Sequence, residues 1–503
     1  MSSELPARAS LEHLKSQAKN LLRAWRDGDA EAVERFEAIG VSGAEPKLAD
    51  AQHLVAHEYG FATWSALKEH IESRGREQSP FGLLAQAFHA NDAVSVETVL
   101  REHPELSSAL NGPAPGAPFG QTALLLAVCG GNREMIGVLV KHGADINGRS
   151  DWWAGSFGVL DSCAPDLAPF LIERGARVDV NAAARLGMMD HLEALVSANP
   201  DLVHARGGDG QTPLHVASTV PVATYLLHHG ADINAKDVDH ESTPVQYLVR
   251  ERQDVARFLV TRGCRTDILM ASALGALELV RRHLDDDPTS IRTRVSAEYF
   301  PMQDARAGGS IYIWTLGAGK SPHVVAREFG HDDVYRLLME HSSEEQQLAE
   351  ACAVGDEPFF TDLLARRPDL VKTLSHGEQR KLVDAAERNN AAAVRLMLTA
   401  GWPINARGNL NATALHYASW MGNTEIVRDL LTHGAPVDVR GDQYNMTPLG
   451  WAIHGSKNSW RQTDGDFAGV VRLLMDAGAT APRITPELDA SEAIRTVLRQ
   501  RRV

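Results

Sequence analysis

The sequence predicts an all-α fold, a solenoid of about twelve helix-turn-helix repeats with β-turn fingers, preceded by a small helical domain. Three observations predict it. First, a pattern recurs along the chain: Thr-(Pro/Ala)-Leu, an Ala at place six counting the Thr as one, a Leu-rich second segment, then Gly-Ala-Asp-Ile-Asn or a near variant. Second, glycines close the second segment of successive copies at Gly143, Gly175, Gly230, Gly263, Gly434 and Gly478. Third, roughly the first 75 residues show helical spacing of apolar residues without that pattern.

In chain order, SLEHLKSQAKNLLRAW, AEAVERFEAI, LADAQHLVAHEYG and TWSALKEHIES read as four helices separated by Gly or Asp. They make residues 1–76 a helical domain or cap, and SRGREQSP marks its boundary with an array over 81–480. The clearest copies are GQTALLLAVCGGNREMIGVLVKHGADIN from Gly120, GQTPLHVASTVPVATYLLHHGADINAKD from Gly210 and NATALHYASWMGNTEIVRDLLTHGAPVDVR from Asn411. Weaker copies begin near residues 81, 151, 181, 238, 268, 310, 343, 377 and 441. Pro suits the first helical turn because its missing N–H is not needed there. Leu226, Leu227, Leu430 and Leu431 form the apolar stripe of a second helix. Residues 481–503 read as a C-terminal capping helix.

These motifs resemble the ankyrin repeat, with its period of about 33 residues. The resemblance covers roughly 81–480 and implies a binding scaffold. A closer resemblance spans nearly the full length. It is to bacterial multi-ankyrin proteins that share the helical front and segments like DHESTPVQYLVRERQ, GGSIYIWTLGAGKSPHVVAREFGH and TPLGWAIHGSKNSW. It implies the fold and no particular chemistry.

A charge of −15 without any basic block argues against nucleic acid and against an anionic membrane surface. No run approaches the roughly 18 apolar residues of a membrane-spanning helix, and no secretory signal pattern opens the chain. The four cysteines form no CxxC pair and read as reduced. The expectation is a cytoplasmic protein with no cofactor and no metal. GAGKS at Gly317–Ser321 lacks the first Walker glycine, since Trp314 holds that place, and Pro322 follows at once. His53 and His57 are spaced for a metal but lack a third ligand. His215 and His416 occupy the His place of Thr-Pro-Leu-His and read as structural.

Places five and eight of each first helix lie three apart and share a face, which in ankyrin proteins looks into the concave groove. Threading puts Asp161, Tyr247, Arg250, Glu328, Glu350, Asp384, Glu387, Tyr417, Trp420, Trp451 and His454 there. A loop carrying Ser456, Trp460, Asp464 and Asp466 is about ten residues too long for the template and is expected to fold over this end. The fingers add Trp152, Trp153, Glu241, Tyr299, Phe300, Tyr312 and Trp314.

Two readings follow. In the first, the aromatic and acidic groove binds a protein or peptide partner with basic segments. In the second, it binds a sugar or other small molecule and hydrolyses glycosides with Asp384 and Glu387 as paired carboxylates, or with His454 as a proton shuttle.

Overall fold

The computed structural model describes residues 11–41, 45–77, 79–441, 445–461, 463–482 and 488–500. Residue 78, in the expected boundary, and residues 483–487 and 501–503, in the expected cap, lie outside them, as does position 462 of the long loop. The fold is an all-α solenoid of stacked helical hairpins, and no β-strand forms among the described residues. The expected β-turn fingers are turns and short 3-10 segments. Among the described residues no helix is long and apolar enough to cross a membrane.

The chain divides into two compact units, Met1–Ala198 with Arg206–Gly210, and Asn199–Ala205 with Gln211–Val503. This division falls inside the expected array rather than at its expected start.

The first unit opens with helices Leu11–Arg26, Ala30–Ala38, Leu48–Glu58 and Trp64–Glu77. Leu14, Ala18, Phe36, Leu54, Val55 and Leu67 form their core, and Arg35 donates to both carboxylate oxygens of Glu58 at 2.9 Å. Four helical hairpins follow, from Pro80–His89 with Ala93–Glu102 to Val180–Leu186 with Met189–Ala198.

Among its described residues the second unit holds eight hairpins. In the first, the inner helix shrinks to a 3-10 turn, Pro213–Val216. Numbering hairpins along the chain, repeats eight to twelve have inner helices Pro322–Glu328, Glu344–Val354, Lys381–Glu387, Ala414–Trp420 and Pro448–Asn458. Small residues on these helices let them approach: Ala326, Ala349, Ala385, Ala418 and Ala452 are all fully buried. Helix Glu492–Gln500 closes the core with Ile494, Val497 and Leu498.

Recurrent side chains explain the motif. His215 and His416 each accept the backbone N–H of the Thr three places earlier, at 3.0 and 3.2 Å. Through Nε2 they donate to a carbonyl of the next repeat, Ser242 at 3.1 Å and Met446 at 3.3 Å. Finger residues clip adjacent repeats together. The Asn111 amide donates to the Gly143 carbonyl and accepts from Asp145 N–H, Asn147 does the same with Gly175 and Arg177, and Asn234 accepts from Arg265 N–H. In the last repeat Asp438 accepts from Thr480 N–H at 3.0 Å.

A long insertion precedes repeat eight, with a 3-10 turn Pro288–Arg292 and a π-turn Ile313–Gly317. Tyr312, an expected exposed finger aromatic, is instead fully buried and donates to Asp267 at 2.8 Å. Two main-chain bonds, Val295 N–H to Lys320 and Gly319 N–H to Val295, tie the insertion to the GAGKS segment.

Candidate functional site

The inner helices of repeats eight to ten, Met421 just past that of repeat eleven, and the long loop of repeat twelve wall a hollow of about 520 Å³, lined by Lys320, Glu328, Glu387, Arg388, Trp460 and Arg461 among others. Local sequence builds each wall. Ser321 caps the helix that ends at Glu328, and Lys320 reaches forward to bond that carboxylate at 2.5 Å. Arg388 follows the helix that ends at Glu387 and donates to the Gly319 carbonyl at 3.4 Å.

An aromatic cluster flanks the hollow. Trp420 meets Trp451 at 6.2 Å, Trp460 at 6.0 Å and the His454 ring at 5.8 Å between centroids. Tyr417 and His416 pack edge-on against Trp451 at 5.2 and 5.4 Å. Edge-to-face pairs of this kind add stability beyond their buried area. Trp460 is 69% exposed, whereas Trp451 and Tyr417 are buried at 7% and 5% and serve as its foundation rather than as contact surface.

The long loop is seated on the neighbouring repeat. Asp466 N–H bonds the Gly422 carbonyl at 2.9 Å. A Cβ on Gly422 would stand 2.9 Å from the Gly465 Cα, and one on Gly465 would stand 2.9 Å from the Met421 carbonyl oxygen. Only glycines permit backbones so close. Arg461 pairs with Asp464 inside the loop at 2.8 Å.

The expected acidic face is largely neutralised. Glu350 is 1% exposed and bonds the Lys381 ammonium at 2.5 Å and the Ser321 hydroxyl at 2.7 Å. Burial alone would raise its pKa, but Lys381 and His323 outweigh that and hold it at about 2. Asp384 is 3% exposed and faces Arg380 at 3.2 Å and Arg294 at 3.7 Å. Asp384 thus does not line the hollow with Glu387 and is paired with cations instead, which lends the glycoside-cleaving reading no support. Glu387 alone is pushed up, to about 7, by burial first and by the Asp384 charge second. His454 turns its Nδ1 to Asp489 at 3.2 Å, beside Lys457, rather than toward those carboxylates.

The other predicted residues are dispersed and mostly structural. Asp161 accepts from Gly158 N–H at 2.6 Å and pairs with Arg149 at 2.8 Å. Asp466 caps the last outer helix by accepting from Gly469 N–H at 2.7 Å. Glu241 accepts from Gln303 and Asp304 N–H, both at 2.8 Å, so it fastens the insertion. Tyr247 donates to Asp237 at 2.9 Å, and Arg250 donates to the Thr315 carbonyl beside the Phe329 ring. Trp152 packs against Phe119 at 4.9 Å and Trp153 at 6.2 Å. Trp314 is 69% exposed on the insertion.

Threading missed the cations. Lys320, Arg388 and Arg461 line the hollow from helix ends and loops, places that a rule about inner-helix positions does not reach.

Stacked hairpins with Thr-Pro-Leu-His cores define a repeat scaffold of the ankyrin class. Comparison agrees: a family model of ankyrin repeats in three copies matches residues 180–270 and 382–480, and a single-repeat model matches 119–151. The chain thus contains ankyrin repeats, which generally mediate protein–protein interaction. Ankyrin repeat and SAM domain-containing protein 6 is 25% identical in rat and 24% in mouse over 134 residues, 26% of this chain and 15% of that protein. The serine/threonine-protein kinase VIK of Arabidopsis thaliana is 52% identical over 46 residues, 8% of this chain and 10% of that protein. The chain therefore spans a small fraction of each relative. All three are animal or plant proteins and lend no support to the expected bacterial kinship.

Proposed function

We propose that the chain binds a protein or peptide partner in the hollow of repeats eight to twelve, with Trp460 as the anchor. The observation that carries this reading is an indole left 69% exposed yet braced edge-on by Trp420, on a loop pinned through Gly422. A rigid, solvent-facing Trp over a concave wall is the side chain type that most often dominates interface energy. The rim suits a partner with mixed charge rather than a purely basic one. Glu328 is met by Lys320, and Arg388 and Arg461 lie alongside.

The test is a random peptide library selected on the full chain, with the winners measured against variants. W460A is expected to weaken the selected peptides by at least about tenfold, the loss of a hot-spot contact. W314A, exposed to the same degree on the insertion, leaves them unchanged. Selected peptides that bind W460A as well as the parent would refute the proposal.

A further inference from the structure

A second, smaller cavity lies in the same unit but does not depend on the groove reading. It measures about 170 Å³, and Arg292, Arg294, Tyr299, Ser375 and Lys381 are among its lining. Arg292 and Arg294 flank Thr293, whose backbone is extended (φ −54°, ψ 139°). Arg292 ends the 3-10 turn and Arg294 follows Thr293, and both arginines line the same cavity. The segment is held on either side. Gln346, 4% exposed, donates to the Ile291 carbonyl at 3.1 Å, and Val295 N–H donates to Lys320 at 3.1 Å.

These groups are unspent. Among the described residues Arg292 makes no hydrogen bond or ion pair, and Tyr299 donates its hydroxyl to nothing. Arg294, with a side chain 17% exposed, has one ionic contact, to Asp384 at 3.7 Å, and Asp384 is already bonded by Arg380 at 3.2 Å. Ser375 accepts from Glu378 N–H at 3.4 Å, which leaves its own proton to give. Glu350 and Glu378 also line the cavity, but Glu350 is neutralised by Lys381 at 2.5 Å. Three cations against two carboxylates leave an excess of positive charge.

We infer that this cavity is an anion site for a phosphate group, free or carried as a monoester, clamped by Arg292 and Arg294 with hydroxyls from Tyr299 and Ser375. Two forked guanidinium groups converging on one small space match the oxygens of such a group better than a point charge would.

The experiment is calorimetric titration of the full chain at constant ionic strength. One arm uses sodium phosphate and the other a blocked phosphoserine. Saturable binding at about 1 mM or tighter is expected in at least one arm, weakened about tenfold in R292A and in Y299F together. Arg292 has no partner to lose, so R292A keeps the parent's melting temperature and circular dichroism. Binding by phosphate alone assigns a free ion, and tighter phosphoserine binding assigns a modified side chain. Absence of saturation in both arms, or equal binding by R292A, would overturn the site.

Discussion

Glu387 shows what the environment of one carboxyl does to the molecule. Burial and the neighbouring Asp384 raise its pKa from 4.5 to about 7. The sign of the effect on stability follows. Below about pH 4.5 the folded and unfolded chains both hold the proton, and nothing is lost. Between about pH 4.5 and 7 the unfolded chain ionises first, so stability falls as pH rises, by up to about 3 kcal/mol above pH 7. Glu387→Gln removes that penalty. Urea denaturation should find E387Q more stable than the parent by about 1–3 kcal/mol at pH 8, with the two converging toward pH 4.5. A difference that does not vary with pH would show that this carboxyl titrates normally. Sequence register assigned Glu387, Trp420 and His454 to one face, and the length of the loop singled out Trp460. Neither could reveal which acids are already paired, because the pairing cations come from elsewhere. Lys381 belongs to the next repeat, and Arg294 precedes Asp384 by 90 residues.

Among the elements, the loop from Ser459 to Asp466 depends on its seat. Gly422 adopts φ +65°, and its Cα hydrogens face Gly465 where a Cβ would collide at 2.9 Å. Gly422→Ala therefore strains the backbone and lifts the loop together, at a cost of about 1–3 kcal/mol. Limited trypsin digestion should then cut after Arg461 faster than in the parent, and an unchanged rate would refute the packing role assigned here. Sequence made the existence of this loop legible, since the template has no room for those residues. Its attachment was not legible, because two glycines in contact carry no motif. The insertion before repeat eight was harder still. Tyr312 resembles an exposed finger aromatic in sequence, yet its hydroxyl finds Asp267 inside the core, a partner that only folding supplies.

At the scale of the whole molecule, stability comes from neighbours stacking on neighbours, as repeat proteins require. Leu430 is fully buried in the core of the second unit. Leu430→Ala should cost about 2–5 kcal/mol. Hydrogen exchange should reveal where: faster in repeats ten to twelve, unchanged in helices Leu11–Arg26 to Trp64–Glu77, whose core is separate. Exchange rising uniformly along the chain would mean that it unfolds as one cooperative body. The Thr-Pro-Leu-His cores and the capping glycines made this architecture readable. Arg292 and Arg294 stayed hidden, since Arg-Thr-Arg says nothing until a fold closes a cavity around it. The finger clips carry a last consequence. The bonds in which Asn111, Asn147 and Asn234 accept a backbone N–H span 34, 30 and 31 residues, whereas the one from Thr480 to Asp438 spans 42. Against the longest of the others, the surplus is 8 residues, and the long loop lies between helices Pro448–Asn458 and Phe467–Asp476. Foreign sequence of equal length exchanged for the tip of that loop alone, with both flanking helices kept, should therefore leave the circular dichroism of the array unchanged.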